Sequence, residues 1–167
     1  MASINRLYPI LAIAVGVLHA GLGPILVVAG VKPNLALVAS VLVATSAGFA
    51  PGVTWAFIAG LTANLLGGEP LGSVPLSLLA AVGLAPAAAP LLGRVPVVYP
   101  VAATFAGSIV ADAIMLLSDQ LVRGGPWPGV PLQTVVTAAA LNAGMAALVL
   151  VLIRLLTRRR AREGAGS

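Results

Sequence analysis

The chain has 167 residues, 60% of them hydrophobic and 8% charged, where an ordinary soluble domain carries roughly 25% charged residues. With a mean hydropathy of +1.10 this excludes a water-facing globular surface, because a chain of this length has too little interior to hide so much apolar material. The net charge of +5 does not point to nucleic acid, since five of the nine basic residues crowd into 154–162 at the end of an apolar run, the pattern of a cytoplasmic membrane flank.

A hydrocarbon core of about 30 Å takes about 20 apolar residues per helix. Six apolar runs, separated by charges or by Gly and Pro, follow one another at 8–29, 34–49, 53–66, 73–92, 97–122 and 133–156. The first is too long for a signal peptide and five more follow it, so it reads as a retained span. The second and third are short, and the linker Ala50-Pro51-Gly52 is barely a turn. That spacing predicts a tight helical hairpin whose ends tilt, break or stop short of one surface. In the fourth run Pro86 and Pro90 lie four apart and kink one face. The expected fold is an all-α integral membrane protein, a six-helix transmembrane bundle over residues 1–157 followed by a basic tail at 158–167.

Counting basic residues by loop parity sets the orientation. With the N-terminus inside, Arg6, Arg94, Arg154, Arg158, Arg159, Arg160 and Arg162 are cytoplasmic, against Lys32 and Arg123 outside. The excess predicts both termini in the cytoplasm and an even number of spans. Outer loops then contain Glu69 and Trp127, the latter where an interfacial aromatic is expected.

His19, Asn64, Asp112 and Asn142 fall within predicted spans. An acid at mid-helix costs about 2.5–3.5 kcal/mol on insertion scales, so Asp112 is expected to face protein or water. It is either part of a polar site or relay, with His19 as partner, or a protonated or hydrogen-bonded group gluing two helices. Asp119, seven residues on, shares its helical face near the outer surface, with Ser108 and Met115 also at helical spacing. His19 lies in the small-residue stretch Gly16-Val17-Leu18-His19-Ala20-Gly21, where bonding to a backbone carbonyl suffices to explain it. One histidine with scattered carboxylates lacks the clustering of a metal site. The absence of cysteine excludes thiol catalysis and thiolate metal sites, and no Ser, acid and His arrangement is visible. No catalytic activity and no cofactor are expected. Runs such as Ala59-Gly60, Ala80-Ala81-Val82-Gly83 and Ala138-Ala139-Ala140 predict a closely packed bundle or a partner helix. Gly67, Gly68, Pro70 and Gly72 permit a sharp outward-facing reversal, either a partner surface or simply a helix-ending turn.

The order of these features resembles a known family. Val31-Lys32-Pro33-Asn34-Leu35 resembles the G-x-(R/K)-P-D-L entry to the second span of the rod shape-determining protein MreD. Residues 60–72, Gly60-Leu61-Thr62-Ala63-Asn64-Leu65-Leu66-Gly67-Gly68-Glu69-Pro70-Leu71-Gly72, are similar to that family's G-L-x-x-D-L-x-(S/G)-G-x-P-L-G stretch. Asn64 stands where the family usually has Asp, which removes a carboxylate and leaves a group that donates and accepts hydrogen bonds. Ala140-Leu141-Asn142-Ala143, before an apolar run and a basic tail, is similar to the family's last helix, and His19 falls near a position where it often places Gln. The resemblance implies a six-span bacterial inner-membrane protein with the fold of substrate-binding subunits (S-components) of energy-coupling factor (ECF) vitamin transporters. It further implies a non-enzymatic scaffold of the cell-wall elongation machinery. Its partners would be the bitopic protein MreC and, beyond it, MreB, RodA and a class B penicillin-binding protein. Residues Gly60, Asn64, Gly68, Pro70 and Gly72 would form the partner-binding or structural motif, with His19, Asp112 and Asn142 as the intramembrane polar residues.

Two other functions compete. An ECF S-component has the same size and span number and small residues four apart in its first helix, as Ala12, Gly16 and Ala20 are here. It needs an outward cavity with polar contacts, to which Asp112, Asp119 and Arg123 would contribute, although the outer loops are short for a lid. A channel or proton-coupled carrier is disfavoured by the single deep acid.

Overall fold

The computed structural model describes residues 2–23, 25–28, 30–92, 95–124, 129 and 131–164, and these form six helices and no strand. The helices are α1 (Ala2–Leu22), α2 (Leu35–Ala47), α3 (Phe49–Leu66), α4 (Ser73–Leu92), α5 (Val98–Arg123) and α6 (Leu132–Gly164). Three of them, over Phe49–Leu66, Val98–Arg123 and Leu132–Arg158, are long and apolar enough to cross a membrane. Arg94 and Trp127, used above for orientation and as an interfacial anchor, lie outside the described residues.

The second predicted run is a helix of only 13 residues, about 20 Å at 1.5 Å per residue. Its start is set by Asn34, whose side chain accepts a hydrogen bond from the Leu37 N–H at 2.9 Å, an N-cap that satisfies one of the helix's free donors. Its end is Gly48 alone. At φ +107° this residue adopts backbone that glycine tolerates and side chains resist, and the chain reverses there in one step. The reversal therefore sits two residues before the expected Ala50-Pro51-Gly52 linker, which instead forms part of the first turns of α3. Pro51 is accommodated because first-turn N–H groups have no helical partner to lose. The first helix ends at Leu22, seven residues before the end of its predicted run, and the chain closes a tight reversal in which Val28 and Val31 exchange both backbone hydrogen bonds. At the other end of the chain α6 continues beyond its apolar run into the arginine cluster, so the segment read as a tail is helical as far as Gly164.

Helix α2 touches all five other helices, and the others follow one another around it in the order α1, α3, α4, α5, α6. The arc does not close, because the described residues of α1 and α6 make no contact. Small residues set the spacing. A Cβ on Gly60 would lie 2.7 Å from the Pro75 Cα, one on Gly16 would lie 2.6 Å from the Ala59 carbonyl oxygen, and one on Gly107 would lie 3.1 Å from the Ala81 Cβ. These glycines bring α3 against α4, α1 against α3, and α5 against α4 at backbone distance. Buried alanines at 36, 56, 59, 81, 85, 103, 139 and 146 continue the pattern.

The molecule's polarity is turned inside out relative to a soluble bundle. Leu7, Ile10, Leu11, Leu65, Leu76, Leu121, Leu148 and Leu156 are exposed, while Ser40, Ser77, Thr104, Ser108 and Asn142 are buried. The hydroxyls of Ser40, Ser77 and Thr104 donate to carbonyls of their own helices at 2.6–2.8 Å. Hydroxyls bonded in this way are satisfied without water.

Candidate functional site

One end of the bundle gathers the 23–34 connection, the α3–α4 turn, the end of α5 and the start of α6, and almost all the unusual polar residues lie there or just beneath. The α3–α4 turn is built on Asn64. Its Oδ1 accepts from the Gly72 N–H at 2.5 Å, and its Nδ2 donates to the Glu69 and Pro70 carbonyls at 3.3 and 3.2 Å. The side chain is thus the hub of a loop whose ends it ties to α3. Pro70 also accepts from the Ser73 hydroxyl at 2.7 Å, which starts α4. Gly72, at φ +90°, supplies the left-handed residue that closes the reversal. Gly60 lies in the same stretch but does something else, admitting Pro75 of α4. Gly68 faces open space and is exposed, as is Leu71.

Asn142 is a second hub. Its Nδ2 donates to the Ser108 hydroxyl at 2.8 Å, and its Oδ1 accepts from the Asn34 N–H at 2.8 Å. One buried side chain on α6 therefore holds α5 and the N-cap of α2 together, a use of intramembrane amides as interhelical fastenings. The sequence placed Asn142 inside a span and Asn34 in a motif, but their separation of 108 positions left no local signal that they meet.

His19 and Asp112 do not pair. Asp112 lines a cleft of about 360 Å³ together with Lys32, Glu69, Met115, Asp119 and Thr134. His19 lines a neighbouring cleft of about 310 Å³, and the two share only Lys32 and Glu69. The stripe read along α5 is present, since Asp112, Met115 and Asp119 border one cavity, while Ser108 bonds Asn142 instead. The hydrogen bonds expected of Asp112 as interhelical glue, and of His19 to a backbone carbonyl, are not made at the buried atoms. The Asp112 Oδ2 and the His19 Nδ1 have no partner among the described residues. Asp119 forms an ion pair with Arg123 one turn on, exposed to solvent. Among the described residues no three His, Asp or Glu side chains gather in a way that holds a metal ion.

No protein-family model, no curated protein and no solved structure matches this chain. One feature escaped sequence reasoning altogether. Trp55, on α3, is 8% exposed, meets Tyr8 of α1 edge to face at 5.9 Å, and its buried indole N–H has no acceptor among the described residues. An aromatic residue inside a predicted span was the available signal.

Proposed function

We propose that the chain is a six-span, non-enzymatic scaffold of the bacterial inner membrane, with both termini in the cytoplasm, belonging to the rod-shape (cell-wall elongation) machinery. It would hold an MreC-like bitopic protein and, with it, MreB, RodA and a class B penicillin-binding protein, as the MreD resemblance implies. The observation that carries this reading is the open arc. With α1 and α6 apart and α2 behind them, the bundle offers a lengthwise opening suited to the single transmembrane helix of a bitopic partner. Contacted by all five other helices, the short α2 need not reach both surfaces, since non-helical backbone at membrane depth is tolerated where protein covers it. The internal bonding of Asn64, Asn142 and the buried hydroxyls supports a structural use of the polar residues over a chemical one.

A second reading, an S-component-like carrier subunit, is favoured by the cleft that joins Lys32, Glu69, Asp112 and Asp119 at the outer end. Purification in mild detergent from the native host, with mass spectrometry of co-purifying chains, separates the two. Recovery of a bitopic coiled-coil protein and wall synthases supports the scaffold, and recovery of ATPases or a bound vitamin overturns it. Gly68→Trp then tests whether the α3–α4 turn is the docking surface, because this residue has open space around it. Gly72 is unsuited to that test, since any side chain at φ +90° strains the turn itself. Lost co-purification at unchanged membrane yield assigns the turn to the partner, and unchanged co-purification returns it to a folding role.

A further inference from the structure

Helix α6 outruns the two helices it packs against, α2 and α5. From the bond between Asn142 and Ser108, α5 runs only ten residues back to its start at Val98, about 15 Å, whereas α6 runs on for twenty-two to Gly164, about 33 Å. Every residue over 151–158 is accordingly exposed. Buried positions 135, 138, 139, 142 and 146 mark the inward face of α6. Followed at about 100° per residue, that face passes through 149, 153, 156 and 160, while Val151, Leu155, Arg158 and Arg162 turn outward and Arg154 flanks them.

Two observations say what meets this surface. Val151, Leu152, Ile153, Leu155 and Leu156 are exposed on both sides of Arg154. On the membrane reading above, Arg154 therefore starts among acyl chains, and its long stem carries the guanidinium out to the headgroups. The second observation is charge. Three of the chain's four acids, Glu69, Asp112 and Asp119, border the cleft at the start of α6. The fourth, Glu163, stands three and four positions from Arg160 and Arg159 and offsets those. Neither Arg154 nor Arg158 has an acid three or four positions away. They are two uncompensated cations on one flank, about 6 Å apart along the axis.

From this we infer that the projecting end of α6 binds an anionic phospholipid of the cytoplasmic leaflet, Arg154 and Arg158 donating to its phosphate while an acyl chain lies along Val151 and Leu155. The planar fork of a guanidinium matches phosphate oxygens with two parallel hydrogen bonds. A soluble acidic partner reaches Arg158 but not Arg154, which lies a turn further into the apolar run. Phospholipid brings phosphate and apolar chains to that one depth. A zwitterionic headgroup offsets its own phosphate with an ammonium, whereas an anionic one leaves its charge for the arginines.

The inference rests on the membrane reading of the proposed function and is tested apart from it. The full chain in a neutral detergent is titrated with phosphatidylglycerol and, separately, with phosphatidylcholine of the same acyl chains, and bound lipid is counted by native mass spectrometry. Phosphatidylglycerol should bind more tightly, and Arg154→Gln combined with Arg158→Gln should weaken it roughly thirtyfold without changing phosphatidylcholine binding. The charge-matched pair Arg159→Gln and Arg160→Gln should weaken it only about threefold, because Glu163 already offsets those two. Equal binding of the two lipids, or an equal loss from the two arginine pairs, means diffuse attraction to a basic end and overturns the site. Loss of both lipids together also overturns it, as does a nucleic acid or an acidic polypeptide retained by Arg154 and Arg158 in place of lipid. Release of the chain from membranes by alkaline carbonate would instead overturn the membrane reading itself.

Discussion

Asn64 uses both ends of its amide, and that decides which substitutions it tolerates. Its Nδ2 serves two carbonyls and its Oδ1 serves the Gly72 N–H. Asn64→Ala strands these groups in a half-buried turn and should cost about 1–3 kcal/mol. Asn64→Asp places an oxygen where two carbonyls expect a donor. An ionised carboxylate donates nothing, whereas a protonated one donates once. This variant should be less stable than the parent at neutral pH and lose further stability as pH rises, a direction the parent side chain cannot produce. Thermal unfolding in detergent from pH 4 to 8 measures both effects, and an Asn64→Asp variant as stable as the parent would contradict the hub geometry. The residue types of the candidate site were legible in the sequence, as polar groups in apolar runs are. Their partners were not: Asn142 bonds residues 34 and 108 positions away, and Asp112 and His19, which a shared role would join, border separate clefts.

Helices in this molecule are defined by their ends and by their smallest residues. Pro86 and Pro90 leave the Val82 and Pro86 carbonyls of α4 without a helical N–H, and the Tyr99 hydroxyl of α5 donates at 2.9 Å to the neighbouring Ala85 carbonyl, tying α5 to α4 there. Glycines divide into those that admit a neighbour and those that face open space. Gly60→Val should separate α3 from α4 and destabilise the bundle by about 1–3 kcal/mol, as overpacking does, because its first added carbon already meets the Pro75 backbone. Gly144→Ala, with nothing within 4 Å, should leave stability unchanged or slightly raised through helix propensity. Unfolding of the two variants in one detergent checks the contrast, and equal losses would mean that close helix approach is not what Gly60 provides.

At the scale of the whole molecule, an apolar exterior encloses a core of alanine, glycine and hydrogen-bonded polar groups. Described residues of the 23–34 connection, the α3–α4 turn, the end of α5 and the start of α6 border one cleft at one end, and the Arg154 and Arg158 end of α6 lies at the other. Because the chain has no cysteine, its topology is directly measurable by adding one. Gly68→Cys and Pro131→Cys should react with a membrane-impermeant maleimide on intact spheroplasts, and Val95→Cys and Ser167→Cys only after permeabilisation. Reaction of Ser167→Cys from outside would place the C-terminus there and reverse or break the six-span order.

Composition alone established that the chain is an apolar, helical protein suited to lipid, and the punctuation by Gly, Pro and charge located six helices to within a few residues at most ends. These properties are local, set by hydrophobic runs and by the backbone preferences of single residues. The arrangement of those helices around the 13-residue α2, the opening between α1 and α6, the internal bonding of Asn64 and Asn142, and the unpartnered groups of Trp55, His19 and Asp112 came from the assembled fold. In a bundle whose helices are almost uniformly apolar, hydrophobic periodicity carries little information about which face turns inward. The choice falls to steric fit between small residues and to a few long-range hydrogen bonds, neither of which has a signature in the neighbouring sequence.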